Sequence, residues 1–295
     1  MILKHQIFNL YRTYVWLLSC FGKNLTFDSA RGSLYIITIA YNHVKLIEKQ
    51  IEHVKEYGSD ENFRHVIVDN SPNRSVRKQI KYICEREGVD YVGVPLYIDK
   101  FISHRLFGNG LSHGAALNWM FYHVLTPNQP ECFALLDHDV IPLKKFSLRD
   151  KLGKRDFIGV KRDMGVGWYL WPGWCVFKHD VVEKCKPNFL PVFVDGRFLD
   201  SGDGNYKKLY SEYSLGDDIF PIVVTKRVRK TVGLCRYDEI YHGDCLQFID
   251  DAWLHIINGS NCAHIPDKEK YVDNLLDNLD VLVSNPMDFA DVKAK

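Results

Sequence analysis

The sequence predicts an α/β fold, a mostly parallel sheet flanked by helices with a smaller subregion beyond it. Three observations carry this. From Ser33 onward, apolar runs of strand length alternate with helix-length segments at the spacing of βαβ units. Three of those runs leave through polar loops, which in such a sheet meet at one edge. One of them, residues 133–136, ends abruptly in two carboxylates flanking a single residue, Asp137-His138-Asp139, with Pro142 soon after. The length of 295 residues suits one large or two small domains, and 46% hydrophobic with 25% charged residues is the composition of an ordinary folded chain.

Residues 1–24 carry Leu3, Ile7, Leu10, Tyr14, Leu17 and Phe21 at alternating steps of four and three, a helical stripe. Lys4, Gln6, Asn9, Arg12 and Thr13 lie largely off it. The uncharged run 14–21 is far short of the about 18 residues that cross a bilayer, and no small-residue cleavage site follows it. Two readings of this amphipathic helix (segment 1–32) stand: a peripheral membrane or partner contact through residues 1–24, or packing on its own domain.

Leu34–Ala40 then reads as a strand with the exit loop Tyr41-Asn42-His43, and Val44–Tyr57 as a helix. Residues 63–68 form a second strand that leaves through Asp69-Asn70-Ser71-Pro72, and Arg74–Glu87 a second helix. Residues 89–94, 111–124 and 132–136 read as strand, helix and strand. A net charge of +1 supplies no field for nucleic acid, which is excluded as a partner. Eight cysteines without a Cys-x-x-Cys pair exclude a zinc knuckle or redox dithiol. Cys132 and Cys175 sit in apolar runs, as thiols of a reducing compartment do. The location predicted is cytoplasmic, with membrane-peripheral attachment left open by the first helix.

If residues 133–136 form a buried strand, Asp137 and Asp139 emerge at its carboxyl end. Residues two apart on an extended chain point the same way, so both can address one hard cation and the ribose or phosphate beside it. By themselves the two acids equally suit a polar turn.

Ile37-Thr38-Ile39-Ala40-Tyr41-Asn42, Val66-Ile67-Val68-Asp69-Asn70-Ser71, Gly114-Ala115-Ala116-Leu117-Asn118 and Leu136-Asp137-His138-Asp139 together resemble a GT-A (Rossmann-like) nucleotide-sugar-dependent glycosyltransferase. The closest likeness is to the large, mainly inverting, family-two-like group with its DXD motif. It covers residues 34–145 well and the rest loosely. The resemblance implies a domain over 33–264, with a nucleotide-sugar half (33–145) and an acceptor half (146–264), followed by a helical tail (265–295). It implies that Ala40, Tyr41, Asn42 and Asp69 hold the base and ribose of a nucleoside-diphosphate sugar, a UDP-sugar before a GDP-sugar. Asn118 would lie beside the sugar, Asp139 would bind Mn²⁺ or Mg²⁺, and Asp137 would contact the ribose, the metal or its water. Two departures stand out: Asp69 is followed by Asn70 where a second acid is common, and residues 97–110, with Lys100, His104, Arg105 and Asn109, are longer and more basic. From the residues themselves, Asp69 in Asp-Asn-Ser-Pro is a turn-capping side chain, and residues 114–118 are a helix start with small side chains packed on the sheet.

In the acceptor half, residues 168–177 are an aromatic strand region with a Pro172-Gly173 turn signal, either core or a stacking platform for a sugar ring. Residues 194–205 form a loop in which Asp200 or Asp203 matches, through the resemblance, the general base of inverting relatives; Asp217-Asp218 is the rival pair. The strip 226–230 suits an anionic acceptor or a charged strand edge. His255, followed by Asn258-Gly259-Ser260, resembles the late histidine that completes a metal site, with His242 second, and an imidazole among carboxylates favours Mn²⁺. Tyr271, Leu275, Leu276 and Leu279 mark a C-terminal helix. The reading is a metal-dependent transferase of hexosyl type acting on a hydroxyl of a glycan or lipid-linked acceptor, inverting if the 200–203 loop supplies the base. Its rivals are an inactive carbohydrate- or nucleotide-binding module and a sugar-nucleotide pyrophosphorylase, although Ala40-Tyr41-Asn42-His43 is not the Gly-rich phosphate loop the latter needs.

Overall fold

Every residue of the first strand, β1 (Leu34–Ala40), is buried, and its side chains alternate between opposite faces of a sheet. Tyr35, Ile37 and Ile39 join a core with Phe8 and Val15 of α1 (Ile2–Cys20) and Leu111 and Ala115 of the helix Gly110–Met120. On the other face Ala40 meets Ile47 and Ile51 of α2 (Val44–Tyr57) and Ile80 of α3 (Arg74–Glu87). Burial on both sides is why the strand is written as one apolar run. The computed structural model describes residues 2–28, 34–100, 110–163, 167–194, 197–213, 225–228, 246–250, 252–257, 259 and 268–279.

The central sheet has six strands. β1 lies between β2 (Phe63–Asp69) and, further along the chain, β4 (Cys132–Asp137), parallel to both, and β3 (Asp90–Gly93) extends the parallel set beyond β2. After α4 (Leu96–Lys100), the helix Gly110–Met120 becomes α5. β5 (Val140–Pro142) follows β4 at once. Beyond β4 run β7 (Trp168–Lys178), antiparallel to it, and the edge strand β6 (Phe157–Asp163). The mostly parallel sheet flanked by helices is therefore as the sequence predicts. Because β2 and β4 flank β1 on opposite sides, their connections diverge and leave a crevice at the carboxyl ends of β1 and β4. β8 (Phe193–Val194) and β9 (Arg197–Phe198) pair as a short antiparallel ribbon, and a second, antiparallel sheet in the order β10 (Thr225–Val228), β11 (Leu246–Ile249), β12 (Trp253–Ile256), β5 forms the smaller subregion. A C-terminal helix, Lys268–Asp277, seats Val272, Leu275 and Leu276 against Leu46 of α2.

Three details differ from the sequence reading. Pro172-Gly173 does not break the aromatic segment: β7 runs through it, and the register of β6 slips between Gly159 and Lys161 opposite this dipeptide. A proline without an N–H sits at such an irregularity without losing a ladder bond. Helix α5 ends at Met120 and widens into a π turn, Phe121–Leu125, before Pro127. Proline cannot donate to the His123 carbonyl four residues back, and Leu25 N–H takes that carbonyl instead, at 2.9 Å. Between the acids and Pro142 the chain is not only a loop: it passes through the Asp137–Asp139 turn and resumes as β5, which ends at Pro142.

One buried side chain on α2 ties these parts together. Gln50 donates one amide hydrogen to Asp137 O (2.8 Å) and the other to Val140 O (2.7 Å), while its Oε1 accepts from Thr38 Oγ1 of β1 (2.7 Å). Thr38 Oγ1 in turn accepts from His65 Nε2 of β2 at 3.0 Å. Burial lowers the His65 pKa to about 3, so the ring is neutral in this chain of bonds. Gln50→Leu keeps the volume but strips two carbonyls and a hydroxyl of their partner. We expect it to lower the unfolding free energy by about 2–4 kcal/mol in urea melts; a loss below about 1 kcal/mol would mean that the turn is held by other contacts.

Candidate functional site

The carboxyl end of β4 is shaped by the residue between the two acids. His138 is turned inward, with Nδ1 3.0 Å from Ile39 O of β1, and its burial lowers its pKa, which keeps the ring neutral and makes Nδ1 the donor. With His138 pegged below and Gln50 holding the carbonyls on either side, residues 138–139 leave the extended conformation. The two-residue period lapses there, and the two carboxylates are presented to different neighbours. Asp137 Oδ1 lies 3.3 Å from His113 Nε2, and Asp139 Oδ1 lies 3.8 Å from His255 Nε2. Asp137 is partly open to solvent and Asp139 is buried.

His113, on the first turns of α5, is the residue that sequence reasoning missed. Its Nδ1 is 2.7 Å from Ser201 Oγ, and Ser201 N–H donates to Asp200 Oδ1 at 2.7 Å. A single line of polar groups therefore runs from the acid at the end of β4 to the acid of the 200–203 loop. Burial alone lowers the His113 pKa. The attraction of Asp137, with Asp200 and Asp139 adding to it, outweighs that and leaves the pKa raised. Asp137 answers in kind: burial pushes its pKa up, but His113 foremost, with His255 and His138, brings it below the ordinary carboxylate value. The only sign in the sequence was a ring nitrogen beside Gly114-Ala115-Ala116, where small residues let the helix approach its neighbours. A Cβ on Gly114 would stand 2.6 Å from Phe189 O, so the segment before the 200–203 loop rests directly on this turn of α5.

His255 reaches the site through the second sheet. It pairs with Val140 across β12 and β5, and Ile256 N–H donates to Asp139 O at 2.9 Å, so the register fixes the imidazole beside the turn. Its Nδ1 faces Gln247 Oε1 at 2.9 Å, which assigns the proton to Nδ1 and turns the Nε2 lone pair toward Asp139. Trp171 covers the ring at 4.6 Å between centroids. Gly259 completes the wall: a Cβ there would be 2.8 Å from Asp139 Cβ. Two ligand atoms each about 2.1 Å from one small divalent ion lie at most about 4.2 Å apart, so the 3.8 Å between Asp139 Oδ1 and His255 Nε2 fits a shared ion. A carboxylate with a neutral imidazole is a donor set for Mn²⁺. Asp137 does not join them: among the described residues, no group of three or more His, Cys, Asp or Glu side chains is placed to hold a metal.

The remaining predicted residues divide by burial. Tyr41 and Asn42 leave the carboxyl end of β1, with Asn42 exposed at φ +52° and its N–H donating to Ser71 Oγ at 2.8 Å; Ala40 is buried beneath them. Asp69 is fully buried, and its two oxygens accept from Ser71 N–H (2.8 Å) and Tyr91 Oη (2.9 Å), so the turn-capping reading describes what this side chain does. Asn118 is also fully buried: it accepts from Phe189 N–H at 2.8 Å and donates to Asn188 Oδ1 at 3.0 Å, pinning residues 188–189 to α5. The Trp168, Trp171 and Trp174 rings are buried as well, so core packing accounts for them, with Trp171 at the margin of the site.

The two candidates for the general base separate cleanly. Asp200 is exposed at the end of the His113-Ser201 line. Asp203 is fully buried, accepts from Val192 N–H at 3.0 Å, and has its pKa pushed up to about 8 by burial. A carboxyl that is protonated at neutral pH and shielded from solvent is no base for an incoming hydroxyl, so the assignment of Asp203 is corrected. Asp217, Asp218, His242, His104, Arg105, Asn109, Asn258, Ser260, Arg229 and Lys230 lie outside the described residues.

No protein-family model matches the sequence, and no curated protein does. Solved structures similar to part of the chain include a mannosyltransferase from Pyrobaculum calidifontis in complex with GDP-Man and Mn²⁺ (18% identity over 59% of this chain and 52% of that one, TM-score 0.35). TarS of S. aureus (14%, 53% of this chain, 30% of that one, TM-score 0.35) is another. A third is glucosyl-3-phosphoglycerate synthase from Mycobacterium tuberculosis in complex with phosphoglyceric acid (14%, 53% and 60%, TM-score 0.35). The matched region spans 30–60% of the length of these proteins. At this distance the chemistry has to be read from the site itself.

The burial of Asp203 has a measurable consequence. Its folded pKa, about 8, stands above the ordinary value of 3.8, so its contribution to stability is full below pH 4 and is lost as pH rises through 8. Between those values the loss approaches about 1.4 kcal/mol per pH unit. Asp203→Asn keeps an acceptor for Val192 N–H and removes the titration. Its melting temperature should gain on the wild type steadily from pH 5 to pH 8 in thermal melts; a constant difference across that range would show that Asp203 is ionised in the folded protein.

Proposed function

We propose that this chain is a glycosyltransferase that moves a sugar from a nucleoside-diphosphate donor to an acceptor hydroxyl with inversion. The observation that carries the reading is the His113-Ser201 bridge. It joins Asp137, at the carboxyl end of β4 where ligands gather in such sheets, to the exposed Asp200 across the crevice. Donor and acceptor subsites then lie at the two ends of one line of polar groups. The backbone turn of Tyr41 and Asn42 borders the same edge and is the proposed seat of the base and ribose, a UDP-sugar before a GDP-sugar.

In the proposed reaction Asp200 accepts the proton of the acceptor hydroxyl. The oxygen so released forms its bond to the anomeric carbon from one face, while the bond from that carbon to the diphosphate breaks on the other and the electron pair leaves with the phosphate oxygen. His113 holds the Ser201 turn, and with it Asp200, at a fixed distance from Asp137; its Nδ1 faces Ser201 Oγ and its Nε2 faces Asp137, and no proton of the ring is needed in the transfer. Asp139 and His255 are the residues that would hold Mn²⁺ or Mg²⁺, and a divalent ion there supplies Lewis-acid stabilisation of the charge developing on the diphosphate. The acceptor is a hydroxyl of a glycan or lipid-linked glycan.

The test combines binding and turnover. UDP, GDP and CMP are added with and without Mn²⁺ to the wild type and to Asp139→Ala, and melting temperatures are compared. A nucleotide at 100 times its dissociation constant adds about 2.7 kcal/mol, and we expect one of the three to do so only with metal and not in the variant. Asp200→Asn should retain that stabilisation and lose about 10²–10⁴ in transfer rate. Stabilisation without transfer by the wild type would favour the binding-module reading, and indifference to every nucleotide would overturn the site.

A further inference from the structure

Helix α1 carries two stripes, and the domain uses only one. Phe8, Val15 and Ser19 are buried against the core, and Arg12 lies between them with its Nε donating to Pro191 O at 2.9 Å and its Nη2 to Leu190 O at 3.1 Å. At 3.6 residues per turn, Ile7, Leu10, Tyr14 and Leu17 point about 150° away from that face, and Phe21 follows just past the end of the helix. They are 50%, 74%, 42%, 45% and 66% exposed. Among the described residues only one other large hydrophobic side chain, Tyr82, is exposed, so five of six lie on this single line. Scattered exposed apolar residues are ordinary; a row of them is not.

Charge points to the kind of surface that covers the row. Residues 1–27 contain no Asp or Glu, and their cations besides Arg12, which is bound to the domain on the opposite face, are Lys4 and Lys23. An apolar row with aromatic rings, in a segment of uniformly positive charge, is the pattern of a helix lying in the headgroup layer of an anionic bilayer. Tyr14 and Phe21 provide the rings, and Tyr prefers that layer for its apolar body and polar tip. The helix does not cross: among the described residues no helix is long and apolar enough to do so. A second copy of the chain suits the row less well. Residues 7–21 extend about 21 Å and one helix width of about 10 Å, roughly 200 Å² in projection, against about 800 Å² that each partner contributes to a standard protein interface.

We propose that α1 is a peripheral membrane anchor that inserts Ile7, Leu10, Tyr14, Leu17 and Phe21 into an anionic lipid surface. The anchor stands independently of the transferase reading. Its opposite face holds Leu190 and Pro191, ahead of the loop of Asp200, so docking sets the crevice beside the bilayer.

The experiment is flotation of the full chain with vesicles of phosphatidylcholine alone and of phosphatidylcholine mixed with phosphatidylglycerol, in low and high salt. The wild type should float with the anionic vesicles, and less in high salt or with the neutral ones. Leu10→Glu combined with Phe21→Glu, at positions that touch solvent, should reduce partitioning by about tenfold or more with an unchanged melting temperature. The proposal is overturned if the wild type ignores anionic vesicles or if the double variant floats as well as the wild type. It is also overturned if sedimentation shows self-association that the double variant abolishes while vesicles are not bound, the result expected of a second copy on the row.

Discussion

The amide of Gln50 is the constraint from which the crevice follows. A glutamine with no solvent contact must find partners for two hydrogens and an oxygen, and an unmet group costs about 1–3 kcal/mol. Here the demand is met by the two carbonyls that bracket the acid turn and by a hydroxyl in the central strand. The same three bonds that satisfy the side chain fix where β4 stops, how far the turn reaches, and where β5 starts. Since β5 carries β12 with it, the position of His255 is inherited from a residue on α2.

The site is assembled from three segments with separate supports. Asp137 and Asp139 depend on the Gln50 fork, His255 on the antiparallel register of the small sheet, and Asp200 on the contact of residues 188–190 with α5. His113 links the first of these groups to the third. Its raised pKa and the lowered pKa of Asp137 describe one mutual attraction seen from its two ends. If the crevice takes a diphosphate as proposed, such a pair balances charge before any ligand arrives.

Strands β1, β2 and β4 were legible because a strand buried on both faces has no choice but to be apolar, and the acids at the end of β4 were legible because they interrupt that rule. Direction was not legible. Asp69, Asn118 and Asp203 have the chemistry of ligand-binding residues, but each spends it on backbone groups nearby in space, because polar loops pressed against a sheet need internal partners. His113 and Gln50 were invisible for the complementary reason: their partners lie 88 and 87 residues away in the chain, and nothing local marks a bond to a residue so distant. The first helix shows a third limit. Its sequence repeats apolar residues on two faces, and periodicity alone does not say which face the domain takes.

The seat of Arg12 has a bearing on how the chain tolerates shortening. Removing the first helix would uncover Tyr35, Ile37 and their neighbours only in part, since α5 covers the same face, and the six strands would keep their pairing. It would also leave the carbonyls of Leu190 and Pro191 without the guanidinium that gathers them. The segment leading to Asp200 would then be held on that side by Asn118 and Tyr122. A trimmed chain of this kind would be a folded protein with a displaced 200–203 loop, and trimming that looks harmless by solubility would be felt first in the spacing between Asp137 and Asp200.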